Sequence, residues 1–323
     1  MSSSISQIPT IDRKKIPKQR YFGGGKRIVK RFGQEWPLHV LLIPAFVVTL
    51  IFSYGPMYGL IIAFQDFNPV QAFNSPWVGL DNFRWLFSQP AFVRTISNTL
   101  FISIMKITLT TLASILFSLL LNEVRNSFNK RVFQTIVYIP NFISWVIMAG
   151  VLQTILATDG LLNTFLNIFG IDNVPFLTDP RVFPWTMIWT DVWKVFGFGT
   201  VVYLAAITSI DPEVYESAVI DGASKFRQIW SITLPLMGPI IVLMVTLSLG
   251  NVLAAGFDQI FNLYSPVVYS TGDIIDTYLF RVGIGQNRMA EGAAVGLMRS
   301  VITVILMSIS LTFAYKVADY KVF

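Results

Sequence analysis

Few residues of this chain could do chemistry, and they are widely spaced. Lys106, Asp191 and Lys194 stand inside long apolar runs, where an ionised side chain is costly and is by default a functional candidate. Asp191 and Lys194 are three residues apart, so on a helix they share a face. Two roles are open to them: a structural ion pair turned into the protein, or contact with a polar solute. Trp185, Trp189 and Trp193 recur every four residues and form a stripe along one helical face. Aromatic faces pack well on apolar ring surfaces, which makes Trp189 and Trp193 candidates for a solute path. Trp185 better suits helix packing or an interfacial belt. Asn251 is polar amid apolar neighbours and needs a partner within a bundle or a wet cavity. Asp258 and Gln259 follow it and suit a hydroxyl-rich solute, so the expected path comprises Asp191, Trp189, Trp193, Asn251, Asp258 and Gln259.

Composition removes other chemistries. Without cysteine there are no thiolate metal sites, disulfides or thiol nucleophiles, and a single histidine, His39, builds no multi-histidine metal centre. No metal, cofactor or catalytic group is expected in the chain. A membrane-embedded enzyme would need convergent catalytic groups, and the apolar runs hold no paired acids.

The elements that must position these residues follow from hydropathy. Of 323 residues, 54% are hydrophobic and 13% charged, against roughly a quarter charged in soluble domains. Six runs almost free of charge, at 37–63, 95–121, 132–157, 183–208, 235–257 and 293–315, are each long enough to cross a bilayer as a helix. The expected fold is an all-α integral membrane protein with six transmembrane helices. An ion-coupled secondary transporter or channel is the alternative; inverted repeats or recurring acids within the membrane would favour it, and neither is visible.

Residues 1–35 carry nine Lys/Arg against Asp12 and Glu35, while the rest of the chain sums to −1. This tail has no apolar periodicity and reads as an anchor beside anionic lipid headgroups, not as a nucleic-acid binder. With the tail inside, the inner segments hold sixteen Lys/Arg and the outer ones six, which places both termini in the cytoplasm. The outer segments 64–94, 158–182 and 258–292 are long, and the spacing of Leu161, Phe165 and Phe169 predicts a short surface helix over 160–170.

Only one inner segment, 209–234, exceeds a turn. Asp211-Pro212 opens a helix of about ten residues ending at Gly222, which permits a sharp turn. The segment reads Glu216-Ser217-Ala218-Val219-Ile220-Asp221-Gly222-Ala223, then eight residues, then Ile232-Thr233-Leu234-Pro235, with Pro235 opening the next span. This pattern resembles the EAA loop of permease subunits in binding-protein-dependent ABC importers. Ser217 replaces the middle Ala, small for small, and Ile229 stands where Phe is frequent.

Tyr58-Gly59-Leu60 through Asp66-Phe67-Asn68-Pro69, Asn122-Glu123-Val124-Arg125, Tyr138-Ile139-Pro140 and Ile210-Asp211-Pro212-Glu213 extend the resemblance to the oligosaccharide and polysaccharide permease subfamily. It implies the type I importer permease fold: a tail at 1–36, a first arm helix at 37–63, a five-helix core at 95–315 and a C-terminus at 316–323. It further implies a second permease subunit in a heterodimer, two cytoplasmic ATPase subunits that hold ATP and Mg²⁺, and an extracytoplasmic solute-binding protein. Glu216, Ser217, Ala218, Asp221, Gly222, Ala223, Ile232, Leu234 and Pro235 would be the ATPase-coupling residues. The implied location is the bacterial inner membrane and the implied cargo a carbohydrate.

Overall fold

The computed structural model describes Trp36, residues 39–250 and residues 252–318. The basic tail and Asn251 lie outside the described residues. Of the described residues, those up to Gly59 form one unit and those from Leu60 onward a second. The first unit contains most of helix α1 (His39–Phe64), 26 residues long and apolar enough to cross a membrane. A π turn over Leu50–Tyr54 precedes Pro56, and the helix continues as 3₁₀. Proline has no N–H and its ring crowds the preceding turn, so a locally widened turn relieves the clash.

Among its described residues the second unit has helices and no strand, with one isolated bridge between Gln65 and Trp77. After α2 (Asp81–Ser88), the long α3 (Pro90–Glu123) packs against α7 (Phe183–Thr208). Ser114 Oγ donates to the Phe196 carbonyl at 2.8 Å across this crossing, and a Cβ on Gly199 would lie 2.6 Å from that hydroxyl. Small residues let the two backbones approach closely.

The expected span at 132–157 is broken. Helices α4 (Ser127–Phe142) and α5 (Trp145–Ile155) meet at 103°. Ile143 and Ser144 are extended between them, and Ser144 Oγ caps α5 by accepting from the Ile147 N–H at 3.4 Å. Hydropathy registers how apolar a segment is but not its direction, so the run conceals the bend. Helix α6 (Leu161–Ile168) matches the short helix expected over 160–170, and Leu161, Phe165 and Phe169 are exposed on it.

The inner segment forms α8 (Pro212–Ile220) and the start of α9 (Lys225–Gly250). Pro235 therefore does not open the fifth span. The helix begins ten residues earlier, at Lys225, and passes through a π turn at Ile229–Thr233 just before the proline. It also stops earlier than expected, at Gly250. Beyond it Ala255 (φ +38°) and Gly256 (φ +85°) turn the chain into a separate short helix, α10 (Phe257–Leu263). Then come α11 (Ile275–Phe280) and α12 (Met289–Ala318). Among the described residues five helices are long and apolar enough to span a membrane, and counting the bent α4–α5 pair as one span makes six.

The buried core lies where α3, α7, α5 and α10 meet, around Ile102, Met148, Phe183, Met187, Ile188 and Ile260. Among the described residues two further buried clusters lie around Phe92, Ile275 and Tyr278 and around Tyr203 and Met237, and many other apolar side chains are exposed, as suits helices whose solvent is lipid.

Candidate functional site

Two regions bring candidate residues together. The first is the 209–234 segment. Asp211 caps α8 by accepting from the Glu213 N–H at 3.0 Å, and Pro212 occupies the first turn, where no partner for its nitrogen is needed. At the other end Gly222 has φ +75°, a conformation that costs other residues about 1–2 kcal/mol. Gly222 N–H donates to the Val219 carbonyl at 3.0 Å and Ala223 N–H to the Ala218 carbonyl at 2.8 Å. These are the paired cap bonds that close a helix on a left-handed glycine. Part of the motif is thus a helix-ending device: Ala218, Gly222 and Ala223 supply its bonds, and Asp221 is the last residue before the turn.

Ser224 begins α9, accepting from the Arg227 N–H at 3.4 Å, and Gln228 Nε2 donates back to the Ala223 carbonyl at 2.9 Å. Tyr215 and Thr233 share a hydrogen bond of 2.9 Å that ties α8 to α9. Ile232, Leu234 and Pro235 belong to the π turn and the helix that follows it. Between these helices and the end of α3 lies a cavity of about 370 Å³ lined by Glu123, Glu216, Lys225 and Gln228 among others. Glu216 and Ser217 are exposed, and so are the large apolar side chains Val219, Ile220 (85%), Phe226 (71%) and Trp230. Two rigidly capped helix ends therefore present a carboxylate among uncovered apolar groups, the composition of a surface that docks into another protein.

The second region is inside the bundle. Lys106 Nζ, on α3, donates to the Ala255 carbonyl at 3.0 Å and to Gln259 Oε1, and lies 3.5 Å from Asp191 Oδ1 on α7. Gln259 is fully buried, and its Nε2 donates to the Met187 carbonyl at 2.8 Å and Thr190 Oγ1 at 2.7 Å. This network corrects the expected Asp191–Lys194 ion pair: Asp191 pairs with Lys106 on another helix. Lys194 Nζ instead donates to the Asn141 carbonyl at 3.2 Å and sits 5.1 Å from the centre of the Trp145 ring. It satisfies a carbonyl left free where α4 ends at the bend, at the negative end of that helix.

Of the expected path residues the structure joins Asp191 and Gln259 through Lys106. Trp189 and Trp193 are exposed, on the side of α7 roughly opposite Asp191, since two residues advance a helix by about 200°. Asp258 is exposed on α10, and its side chain is not part of the cluster.

One group that sequence reasoning missed lies in the 258–292 segment. Asp273 is buried and ion-paired to Arg281, accepts from Thr277 Oγ1 at 2.7 Å, and burial pushes its carboxyl above the usual range against both partners. The Arg281 guanidinium stacks 4.2 Å from the Tyr269 ring centre and 5.4 Å from that of Tyr278. Arg299 pairs with Asp276 at 3.0 Å. In the sequence these charges look like ordinary loop polarity.

The same architecture recurs in known proteins. The structure of a bacterial ABC transporter involved in the import of the acidic polysaccharide alginate contains a chain that superposes with a TM-score of 0.83 at 38% identity, covering 90% of this chain and 99% of that one. A second structure, of the bacterial alginate ABC transporter in complex with an alginate pentasaccharide-bound periplasmic protein, gives 0.84 at 37%, covering 92% and 100%. The polygalacturonan/rhamnogalacturonan transport system permease protein YteP of Bacillus subtilis is 34% identical over 325 residues, the full length of both chains. Residues 111–323, which include the capped 209–234 hairpin, match the model of the binding-protein-dependent transport system inner membrane component. With its apolar spans, its type I importer permease fold and that match, the chain belongs to the family of inner membrane components of binding-protein-dependent transport systems, a multi-pass protein of the bacterial inner membrane.

Proposed function

We propose that this chain is the permease subunit of an ATP-driven importer that passes a carbohydrate from an extracytoplasmic binding protein into the cytoplasm. Carbohydrate as cargo is supported by the polysaccharide transport for which the relative is named and by the alginate transporter. In this reading a second, different permease chain completes the path and two cytoplasmic ATPase subunits hold ATP and Mg²⁺. Both termini face the cytoplasm, and the 209–234 hairpin couples the membrane helices to the ATPases.

The observation that carries the reading is the hairpin itself. Glu216 projects from a helix capped at both ends, one turn before Ile220, and Ile220 and Phe226 are left exposed by the described residues. A charge-assisted bond from Glu216 to a basic group, surrounded by apolar contact, would transmit motion because the helix ends are rigid.

Purification of the tagged chain from its native membrane tests the proposal. A second permease chain and an ATPase should copurify, and the loaded binding protein should stimulate ATP hydrolysis. Uptake by the chain reconstituted alone and driven by an ion gradient would overturn it.

A further inference from the structure

The middle of the membrane spans carries an unbalanced charge. Among the described residues the charged side chains there are Lys106, Asp191 and Lys194, two cations and one anion; Arg299, further along α12, is neutralised by Asp276 at 3.0 Å. Asp191 answers Lys106 at 3.5 Å and acts on Lys194 only from beyond 4 Å, so one carboxylate is shared between two cations; Lys194 is 6% exposed. One surplus positive charge in a medium of low dielectric costs several kcal/mol unless an anion joins it.

A place for that anion exists. A cavity of about 290 Å³, near the lower end of the ~300–1,000 Å³ usual for ligand pockets, is lined by Ser103, Lys106, Asp191, Ser248, Ala255 and Gly256 among others. Ser103 is 2% exposed and its Oγ has no hydrogen-bond partner among the described residues. It precedes Lys106 by three residues, so both project from one face of α3. Gly256 contributes bare backbone to the wall; a Cβ there would come within 2.7 Å of Lys106 Nζ.

We propose that this cavity binds a carboxylate of the transported solute, with Lys106 Nζ and the Ser103 hydroxyl as its donors, so that the cargo is an acidic carbohydrate of the uronate type. The proposal rests on the carbohydrate reading above and narrows it. The solute carboxylate replaces Asp191, the loosest of the Lys106 contacts, and accepts the unused Ser103 O–H. Asp191 then turns to Lys194, three residues along its own helical face, and every charge is paired. With the carboxylate bound the cluster is neutral, and once the solute leaves the Lys106–Asp191 pair closes again.

The test uses the complete importer in proteoliposomes with one binding protein throughout, offered an oligogalacturonate and its methyl ester. Wild type should take up the acid faster than the ester. The acid-to-ester uptake ratio should fall about tenfold in the Lys106→Met, Asp191→Asn double variant, which keeps the number of surplus charges, and at least threefold in Ser103→Ala. Ser103→Ala removes only an unpaired hydroxyl, so it leaves folding intact and decides the matter if the double variant does not assemble. Carbohydrate uptake with an unchanged ratio in Ser103→Ala, or a wild-type ratio near one, would overturn the carboxylate site and leave the carbohydrate reading standing. Failure of wild type to move either probe or any other carbohydrate would overturn both.

Discussion

Lys106→Met is the perturbation that most sharply separates the observed pairing of the buried charges from the one expected along a single helix. Lys106 is 6% exposed, and its ammonium holds the Ala255 carbonyl at 3.0 Å, Gln259 Oε1, and Asp191 at 3.5 Å. Removing it strands Asp191, whose side chain is 17% exposed, and breaking a buried pair in this way costs about 3–5 kcal/mol. Replacing Asp191 by Asn as well removes the orphan charge. What remains is the loss at Ala255 and Gln259, about 1–3 kcal/mol for buried acceptors left unpaired. The Lys106→Met, Asp191→Asn variant should therefore be more stable than Lys106→Met alone by about 2 kcal/mol. The assay is thermal unfolding of the purified complex followed by tryptophan fluorescence. At the ~2–4 °C per kcal/mol of chains of about 150–250 residues, an upper value for this longer one, the single change should lower Tm by up to about 10 °C and the double recover up to about 5 °C. No recovery in the double variant, together with recovery in Asp191→Asn, Lys194→Met, would show that Asp191 belongs to Lys194 and refute the network.

Other outcomes follow from the same geometry. Arg281→Met should destabilise the complex by about 3–5 kcal/mol, because Asp273 stays buried without its cation. Burial already raises the folded-state pKa of Asp273 and losing Arg281 raises it further, so protonation of the folded state removes the orphan charge. The Tm deficit relative to wild type should be larger at pH 8 than at pH 5, and an equal deficit at both would contradict the ion pair. Gly256→Ala places a side chain at φ +85° against Lys106 and should cost about 1–2 kcal/mol, part of it recovered in a Lys106→Met background, as unfolding of the two variants would show. Tags at residue 5 and at the C-terminus should be reachable only from the cytoplasm and one near Asn173 only from outside; external labelling of the C-terminus would reverse the orientation.

Long apolar runs declare themselves in a sequence because crossing a bilayer demands about 20 such residues, so the spans at 95–121, 183–208 and 293–315 fall within α3, α7 and α12. The hairpin was legible for a different reason: Asp211, Pro212 and Gly222 are local signals, each acting on the backbone next to it, and the caps and the positive φ stand where they point. The α4–α5 bend had its own signals in Pro140 and Ser144, masked by uniform hydropathy on both sides. Side-chain pairing was not legible. Lys106 meets Ala255 and Gln259 across about half the chain, and nothing local distinguishes Asp191 with Lys106 from Asp191 with Lys194. The tryptophan stripe was correct as periodicity, but periodicity does not say which face turns inward. Here the face of Asp191, with buried Met187 and Lys194, turns in.

Coupling through the 209–234 hairpin is the central claim, and binding-protein-stimulated ATP hydrolysis by the reconstituted importer carrying Glu216→Lys or Gly222→Val tests it most directly. Gly222 has open space around it, so a valine there brings backbone strain without collision, and Glu216 is exposed, so neither change disturbs the membrane core. The predicted result is normal permease in the membrane, weakened ATPase docking and loss of stimulated hydrolysis in both variants. Wild-type stimulated hydrolysis and solute uptake in both would contradict the claim, because the hairpin would then not be the element that joins transport to ATP.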